Sequence, residues 1–358
     1  MKNSLIEFEK QIKSINTHLK IIEQYNKILK NYRDNDVDYI INNITEERVF
    51  TYRSNIISLY GAFEHFLESV IKEYIQSVHI YLESFNDWGE KVTNNYIDLW
   101  KKLHGKLSYP KFNTITSNSM VENLYDVILN NKSKLMPECY LQNGGNYKST
   151  IISNMFNDIG IDDINANLYK YDPLKTYLLD KYPSSQKLDV SKKKELYFQK
   201  LDDLVERRNE IAHGSTSTDL IDNDMFADML LYISCYAKSL NSFLTDKIYE
   251  KQWKSNNNTT IKIDKVFHHN GNVALLHIES TNVKHTVSVG DKLLVNYKEG
   301  ECSRFFITEI KEIRVDLKSG EKGKIVEKIF VDNNVEQIAI EVLNEVKTNQ
   351  KIKLITSK

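Results

Sequence analysis

One short stretch carries the residue types that could handle a phosphodiester: Arg208-Asn209-Glu210-Ile211-Ala212-His213-Gly214. Leu201, Leu204, Val205, Ile211 and Ala212 follow the spacing of one apolar helical face. At about 100° per residue, Arg208 falls near the middle of that same stripe. A guanidinium there needs an anion or a polar cleft, because burying an unpaired charge is costly. His213 follows five residues later, and Gly214 marks a helix end. Asn209 and His213 are spaced i, i+4, so the amide can reach the imidazole and orient it. A helix C-terminus attracts cations, which suits a histidine that must both hold and release a proton. Arg208 adds a permanent forked charge for phosphate oxygens. RNA cleavage needs little more: the 2′-hydroxyl is the nucleophile, a histidine moves protons, a cation stabilises the phosphorane, and no metal is required. The same residues allow a plainer reading, in which Arg208 pairs with an internal carboxylate while His213 and Gly214 only close the helix.

Positioning such a group is a task for long helices. Ile12, Ile15, Leu19, Ile22 and Leu29 space a helix over roughly 3–32, and Val49, Tyr52, Ile56, Tyr60, Phe63, Leu67, Val70 and Tyr74 a second over about 46–80. Residues 83–190 are more broken, with helical pieces near 92–103, 119–131 and 148–158. The motif helix is predicted over 191–213 with Ser191 as N-cap, and a last helix over 219–250 capped by Thr218 or Asp219. Glu64 lies beside the apolar stripe of the second helix, on the line Arg53, Ile57, Tyr60, Glu64. From there it can orient Arg208 or His213, or pair at the surface with Arg53 or Lys72. Tyr52 and Tyr60, at helical spacing, read as core rather than as base-stacking platforms. Lys101, Lys102, Lys106 and Lys111 make the loop near Tyr109 locally basic, either a solvated loop or a contact for an RNA backbone.

After the polar tract 251–260 the periodicity changes to alternation. Strands are predicted at 261–268, 272–279, 284–288, 291–297, 304–315, 324–331, 336–343 and 351–356, with turns at Asn270-Gly271, Ser319-Gly320 and Asp332-Asn333. The fold class expected is therefore a mainly α N-terminal bundle over 1–250, with 83–190 inserted, then a linker at 251–260. An all-β small barrel or sandwich follows over 261–358.

Composition sets the bounds. The chain has 358 residues, 41% hydrophobic and 27% charged, with 48 basic against 49 acidic side chains and a formal net charge of −1. That balance excludes a basic nucleic-acid coat, so any RNA site must be local. Cys139, Cys235 and Cys302 show no metal or disulfide spacing, which fits a reducing cytoplasm. His268, His269, His277 and His285 lack matching carboxylate or cysteine ligands, so neither metal nor cofactor is expected. No apolar run long enough to span a membrane occurs. Neither a paired-carboxylate metal site nor a glycine-rich phosphate loop supports a metal phosphodiesterase or an AMP-transferring enzyme.

The stretch LVERRNEIAHG resembles the signature of the HEPN superfamily (higher eukaryotes and prokaryotes nucleotide-binding), in which an Arg and a polar residue precede a His by a few positions. Arg208, Asn209 and His213 match it. Arg207 offers a longer spacing, but its angle turns it off the apolar face. The helix containing NIISLYGAFEHFLESVIKEY (55–74) is similar to the long second helix of prokaryotic HEPN proteins from toxin–antitoxin and abortive-infection loci. The resemblance implies a homodimer in which two motif helices form one composite cleft. It also implies metal-independent RNA cleavage leaving a cyclic phosphate, on tRNA or mRNA, in a toxin or anti-phage effector with an antitoxin or regulatory protein as a further partner. Other members of the superfamily are non-catalytic RNA- or protein-binding scaffolds. The C-terminal part resembles, through Asn270-Gly271-Asn272-Val273, Val289-Gly290-Asp291-Lys292-Leu293 and its late strands, the second-domain β-barrel of translation GTPases. That likeness implies contact with structured RNA or the translation machinery; a protein-interaction or regulatory module is the alternative.

Overall fold

A computed structural model describes residues 2–29, 43–142, 146–214, 220–255, 258–267, 273–277, 285–299, 302–315, 324–331, 338–344, 346–347 and 350–355. The chain divides into two compact units, Met1–Leu244 and Thr245–Lys358.

The first unit is helical. The described helices are α1 (Lys2–Leu29), α2 (Ile44–Val78), α3 (Glu90–His104), α4 (Ser117–Ile128), α5 (Ser149–Asp158), α6 (Ile164–Leu168), α7 (Leu174–Lys181), α8 (Val190–Ala212) and α9 (Asn223–Lys254). The short helices α6 and α7 are not evident in the sequence pattern. Helix α2 is the central element. Its face from Ile56 through Tyr60, Phe63, Leu67 and Val70 to Tyr74 is buried as the periodicity predicts. Phe8 of α1 packs against Phe66 with ring centroids 5.0 Å apart, and Phe63 meets Tyr236 of α9 edge-on at 5.6 Å. Among the described residues no helix is long and apolar enough to cross a membrane.

The helix ends differ from expectation in two places. Asp189, not Ser191, caps α8, its carboxylate accepting the Lys192 N–H at 2.9 Å. Asp222 caps α9 by accepting the Met225 N–H at 2.7 Å, whereas Thr218 and Asp219 lie outside the described residues. In both cases an aspartate immediately before the first helical residue satisfies an orphan amide. Gly214 takes φ +71°, the left-handed turn that closes α8.

Residues 83–190 are fastened to the motif helix by a carboxylate. Asp202 of α8 accepts from both the backbone N–H and the hydroxyl of Ser149, at 2.7 and 2.8 Å. Lys148 reaches Glu206 one turn further on, at 2.8 Å.

In the second unit the end of α9 joins nine described strands: β1 (Asn258–Phe267), β2 (Val273–His277), β3 (His285–Ser288), β4 (Lys292–Glu299), β5 (Cys302–Val315), β6 (Lys324–Val326), β7 (Lys328–Val331), β8 (Ile338–Val342) and β9 (Lys351–Ile355). The stretch 251–260 thus holds the last turn of α9 and the start of β1, and the strand expected over 324–331 is two strands. Every described pairing is antiparallel. β1 pairs first with β9 and then with β2, while β5 pairs first with β4 and then with β8 and β6, so each long strand changes neighbours along its length within one seven-stranded sheet. Leu293, Val295, Ile310, Ile313, Ile340, Val342, Ile352 and Leu354 fill the space inside. Gly290, at φ +91°, makes the turn into β4 beside Asp291, which accepts the Ser288 N–H at 2.8 Å. The three hairpin signals at Asn270-Gly271, Ser319-Gly320 and Asp332-Asn333 fall outside the described residues.

Asp228 of α9 gathers three helices: it accepts from the Tyr177 hydroxyl of α7 at 3.0 Å and pairs with Lys181 at 2.8 Å and with Lys200 of α8. Burial pushes its carboxyl up, but the hydrogen bonds from Lys181 and Lys200 outweigh this and hold it below the ordinary aspartate value. Its contribution is present above the unfolded aspartate range and lost as pH falls through the lower folded value. Asp228→Asn should therefore cost about 1–2 kcal/mol near neutral pH. Denaturant titrations of the two proteins should converge in acid.

Candidate functional site

Helices α2 and α8 place the motif. Leu201, Leu204 and Val205 of α8 are fully buried, but the stripe stops there: Ile211 is half-buried and Ala212 exposed, because the last turn leaves the packing layer. Arg208 sits at this margin, half-buried. Its guanidinium carbon lies 4.6 Å from the centroid of the Tyr60 ring, and one Nη donates to the Asn209 side-chain oxygen at 2.9 Å. Among the described residues no carboxylate comes within ion-pair distance of Arg208. The internal-carboxylate reading of this arginine is therefore not the observed arrangement. A π face and a neutral amide hold the cation instead, leaving most of its five N–H donors uncommitted.

Arg207 is the contrast. It donates to Asp203 at 2.9 Å and to the Tyr52 hydroxyl at 3.1 Å. Burial works against its charge, yet these two bonds raise its pKa above the ordinary arginine value. Arg207 is thus engaged in joining α8 to α2, and Arg208 is the arginine with donors to spare.

Asn209 binds Arg208, in place of the contact with His213 that the i, i+4 spacing predicts. The link along that spacing is made by backbone alone, the His213 N–H donating to the Asn209 carbonyl at 3.0 Å. His213 itself is exposed at the C-cap of α8. Arg208 and Asn209 are joined, and His213 stands one turn away on the same helix end.

Tyr60 is the core residue that its spacing predicts. It is 2% exposed, as a core residue should be, but its ring is also the seat of Arg208. Burial pushes its phenol up to about 12, so the ring stays neutral beneath the cation. The Tyr60 hydroxyl accepts the Tyr147 N–H at 3.3 Å, and the Tyr147 hydroxyl donates to Glu68 at 2.6 Å. Lys111 pairs with the same Glu68 oxygen. Tyr147, Glu68 and Lys111 carried no recognisable spacing, because they converge from three distant parts of the chain. The basic loop is largely committed internally: Lys101 pairs with Asp98 at 3.2 Å and Lys106 donates to the Gln142 carbonyl at 2.9 Å.

Glu64 is half-buried on α2. Burial and the neighbouring Glu68 charge raise its pKa, partly opposed by Arg208 and Lys111. Lys72, an alternative partner for it, instead pairs with Glu138 at 3.2 Å. Among the described residues no group of three or more His, Cys, Asp or Glu is placed to hold a metal ion. His268 and His269 lie outside the described residues.

Arg208, Asn209 and His213 thus stand at the end of one long helix, α8, which packs against a second, α2. The RiboL-PSP-HEPN family model matches residues 6–246, and the chain belongs to that family. No curated protein and no solved structure matches the chain.

Two measurements check this geometry. A double-mutant cycle on Tyr60→Leu and Arg208→Ala should show coupling of about 0.5–2 kcal/mol, since each single change removes the same cation–π contact. Glu64 is costly when charged, so Glu64→Gln should raise the thermal midpoint at neutral and higher pH. The gain should shrink as pH falls through the raised folded value and vanish below the ordinary glutamate range, where Glu64 is neutral both folded and unfolded.

Proposed function

We propose that this chain is a metal-independent endoribonuclease acting as a toxin or anti-phage effector on tRNA or mRNA, with a composite site in a homodimer. The observation that carries the reading is Arg208: a half-buried guanidinium with no carboxylate partner among the described residues, seated on Tyr60 and steadied by Asn209. Family membership supports a nuclease or RNA-binding role in general terms.

In the proposed reaction the ribose 2′-oxygen attacks the adjacent phosphorus and gives its proton to a base. The bond to the 5′-oxygen breaks, and that oxygen takes a proton from an acid, leaving a 2′,3′-cyclic phosphate and a 5′-hydroxyl. His213, exposed at the helix end, is the proton carrier, and a dimer brings two copies so that one accepts while the other donates. Arg208 meets the charge that builds on the phosphorane oxygens. Asn209 is reassigned from orienting His213 to orienting Arg208, and Glu64 tunes the field around it. The all-β unit is proposed as the module that meets structured RNA or an antitoxin or regulatory protein.

The test is incubation of purified chain with total RNA in EDTA, beside Arg208→Ala and His213→Ala. Cleavage should leave cyclic-phosphate ends, slowed about 10²–10³-fold without Arg208 and about 10²–10⁴-fold without His213. RNA left equally intact by all three proteins sinks the nuclease reading, and retained RNA binding in that case defines a non-catalytic scaffold.

A further inference from the structure

A second cleft lies in the helical unit, walled by α1, α2 and the start of α9. Its volume is about 590 Å³, within the range of small-molecule sites. Ile22, Leu220, Ile221 and Phe226 supply apolar walls and Tyr52 an aromatic one.

Two polar groups facing this space keep hydrogen-bonding capacity that no described residue uses. Asn55 of α2 is 6% exposed and lines the cleft, and its amide makes no hydrogen bond among the described residues. Glu47, two turns earlier on the same helix, receives the Thr51 hydroxyl on one carboxylate oxygen at 2.6 Å. Its other oxygen is buried with no partner among the described residues. Leaving the Glu47 oxygen unmet costs about 1–3 kcal/mol, which a ligand supplying its partner would recover.

The chemistry wanted is specific. A free carboxylate oxygen accepts only, and a primary amide both donates and accepts across one edge. Adenine presents the matching edge to an asparagine, an amino donor beside a ring-nitrogen acceptor. Ribose hydroxyls donate to a carboxylate. Eight residues of helix separate Asn55 from Glu47 by about 12 Å, comparable to the reach from a nucleoside's base edge to its ribose with side chains extended. Phosphate is disfavoured inside, since Glu23, Glu47, Asp222 and Asp224 line the cleft against Arg48 as the lone cation of the lining. Tyr52 connects the cleft to the motif helix, its hydroxyl accepting from Arg207 beside Arg208.

We infer that this cleft binds an adenosine moiety, with Asn55 reading the base and Glu47 holding the ribose. As part of an RNA substrate, that nucleoside would set where the strand is cut; only this source rests on the nuclease reading.

Adenosine and uridine are titrated calorimetrically into the full chain, its Asn55→Ala and Glu47→Gln variants, and an Arg208→Ala/His213→Ala double variant. Saturable adenosine binding is expected, at least about tenfold tighter than uridine and weakened about tenfold or more by Asn55→Ala. Glu47→Gln should also weaken it, and the double variant should bind as wild type does. Asn55 has no side-chain hydrogen bond to lose among the described residues, and an unchanged circular-dichroism melt confirms that the variant folds. No saturable binding, equal affinity for the two nucleosides, or equal affinity of wild type and Asn55→Ala overturns the proposal even if RNA is cleaved. Adenosine binding without any cleavage upholds it while the nuclease reading falls. Mapped cuts that lose an adenosine preference in Asn55→Ala identify RNA as the source, and an unchanged cut pattern assigns the cleft to a free nucleoside or nucleotide.

Discussion

Arg208 rests on the face of Tyr60, and much of the surrounding structure follows from what that contact does and does not supply. A carboxylate at the same place would neutralise the guanidinium and occupy its donors. A buried, neutral ring attracts the cation yet leaves the donors directed elsewhere. The ring can do this only if it is held still. Tyr147 fixes the Tyr60 hydroxyl from one side, and Glu68, itself paired with Lys111, fixes Tyr147 in turn. The electrostatics are arranged around the same point: the half-buried carboxylate of Glu64 stands near Arg208 without pairing with it among the described residues, so the charge is moderated rather than cancelled.

The neighbouring arginine shows that placement is set by partners rather than by sequence adjacency. Arg207 and Arg208 differ by one helical step, yet one is bound by Asp203 and Tyr52 and the other by a ring and an amide. Consecutive residues on a helix point about 100° apart, so a pair of like charges can serve a structural and a chemical role without competing.

The sequence disclosed those features that depend on local periodicity. The long helices α1, α2, α8 and α9 and most strand positions follow from apolar spacing, and the misplaced charge at Arg208 is visible in that spacing alone. What remained hidden depends on convergence. Nothing in the spacing of Tyr147, Glu68 and Lys111 indicates that they form one chain of contacts leading to the Tyr60 hydroxyl, nor that Asn55 lines a cleft with no hydrogen bond among the described residues. Caps were misread by two residues at α8, because Asp189 and Ser191 are both good N-cap types and only the turn geometry chooses between them. The i, i+4 relation of Asn209 to His213 permitted a contact, but the adjacent guanidinium is the stronger claimant for the amide oxygen.

The bonds from Asp202 to Ser149 carry one more consequence. Residues 83–190 read as an interruption between two helices of a bundle. Here, excising them would strip the motif helix of the groups that satisfy Asp202 and would remove the Tyr147 that steadies the seat of Arg208. The segment and the site are therefore bound to a shared evolutionary fate: a lineage that shortened one would have to rebuild the other.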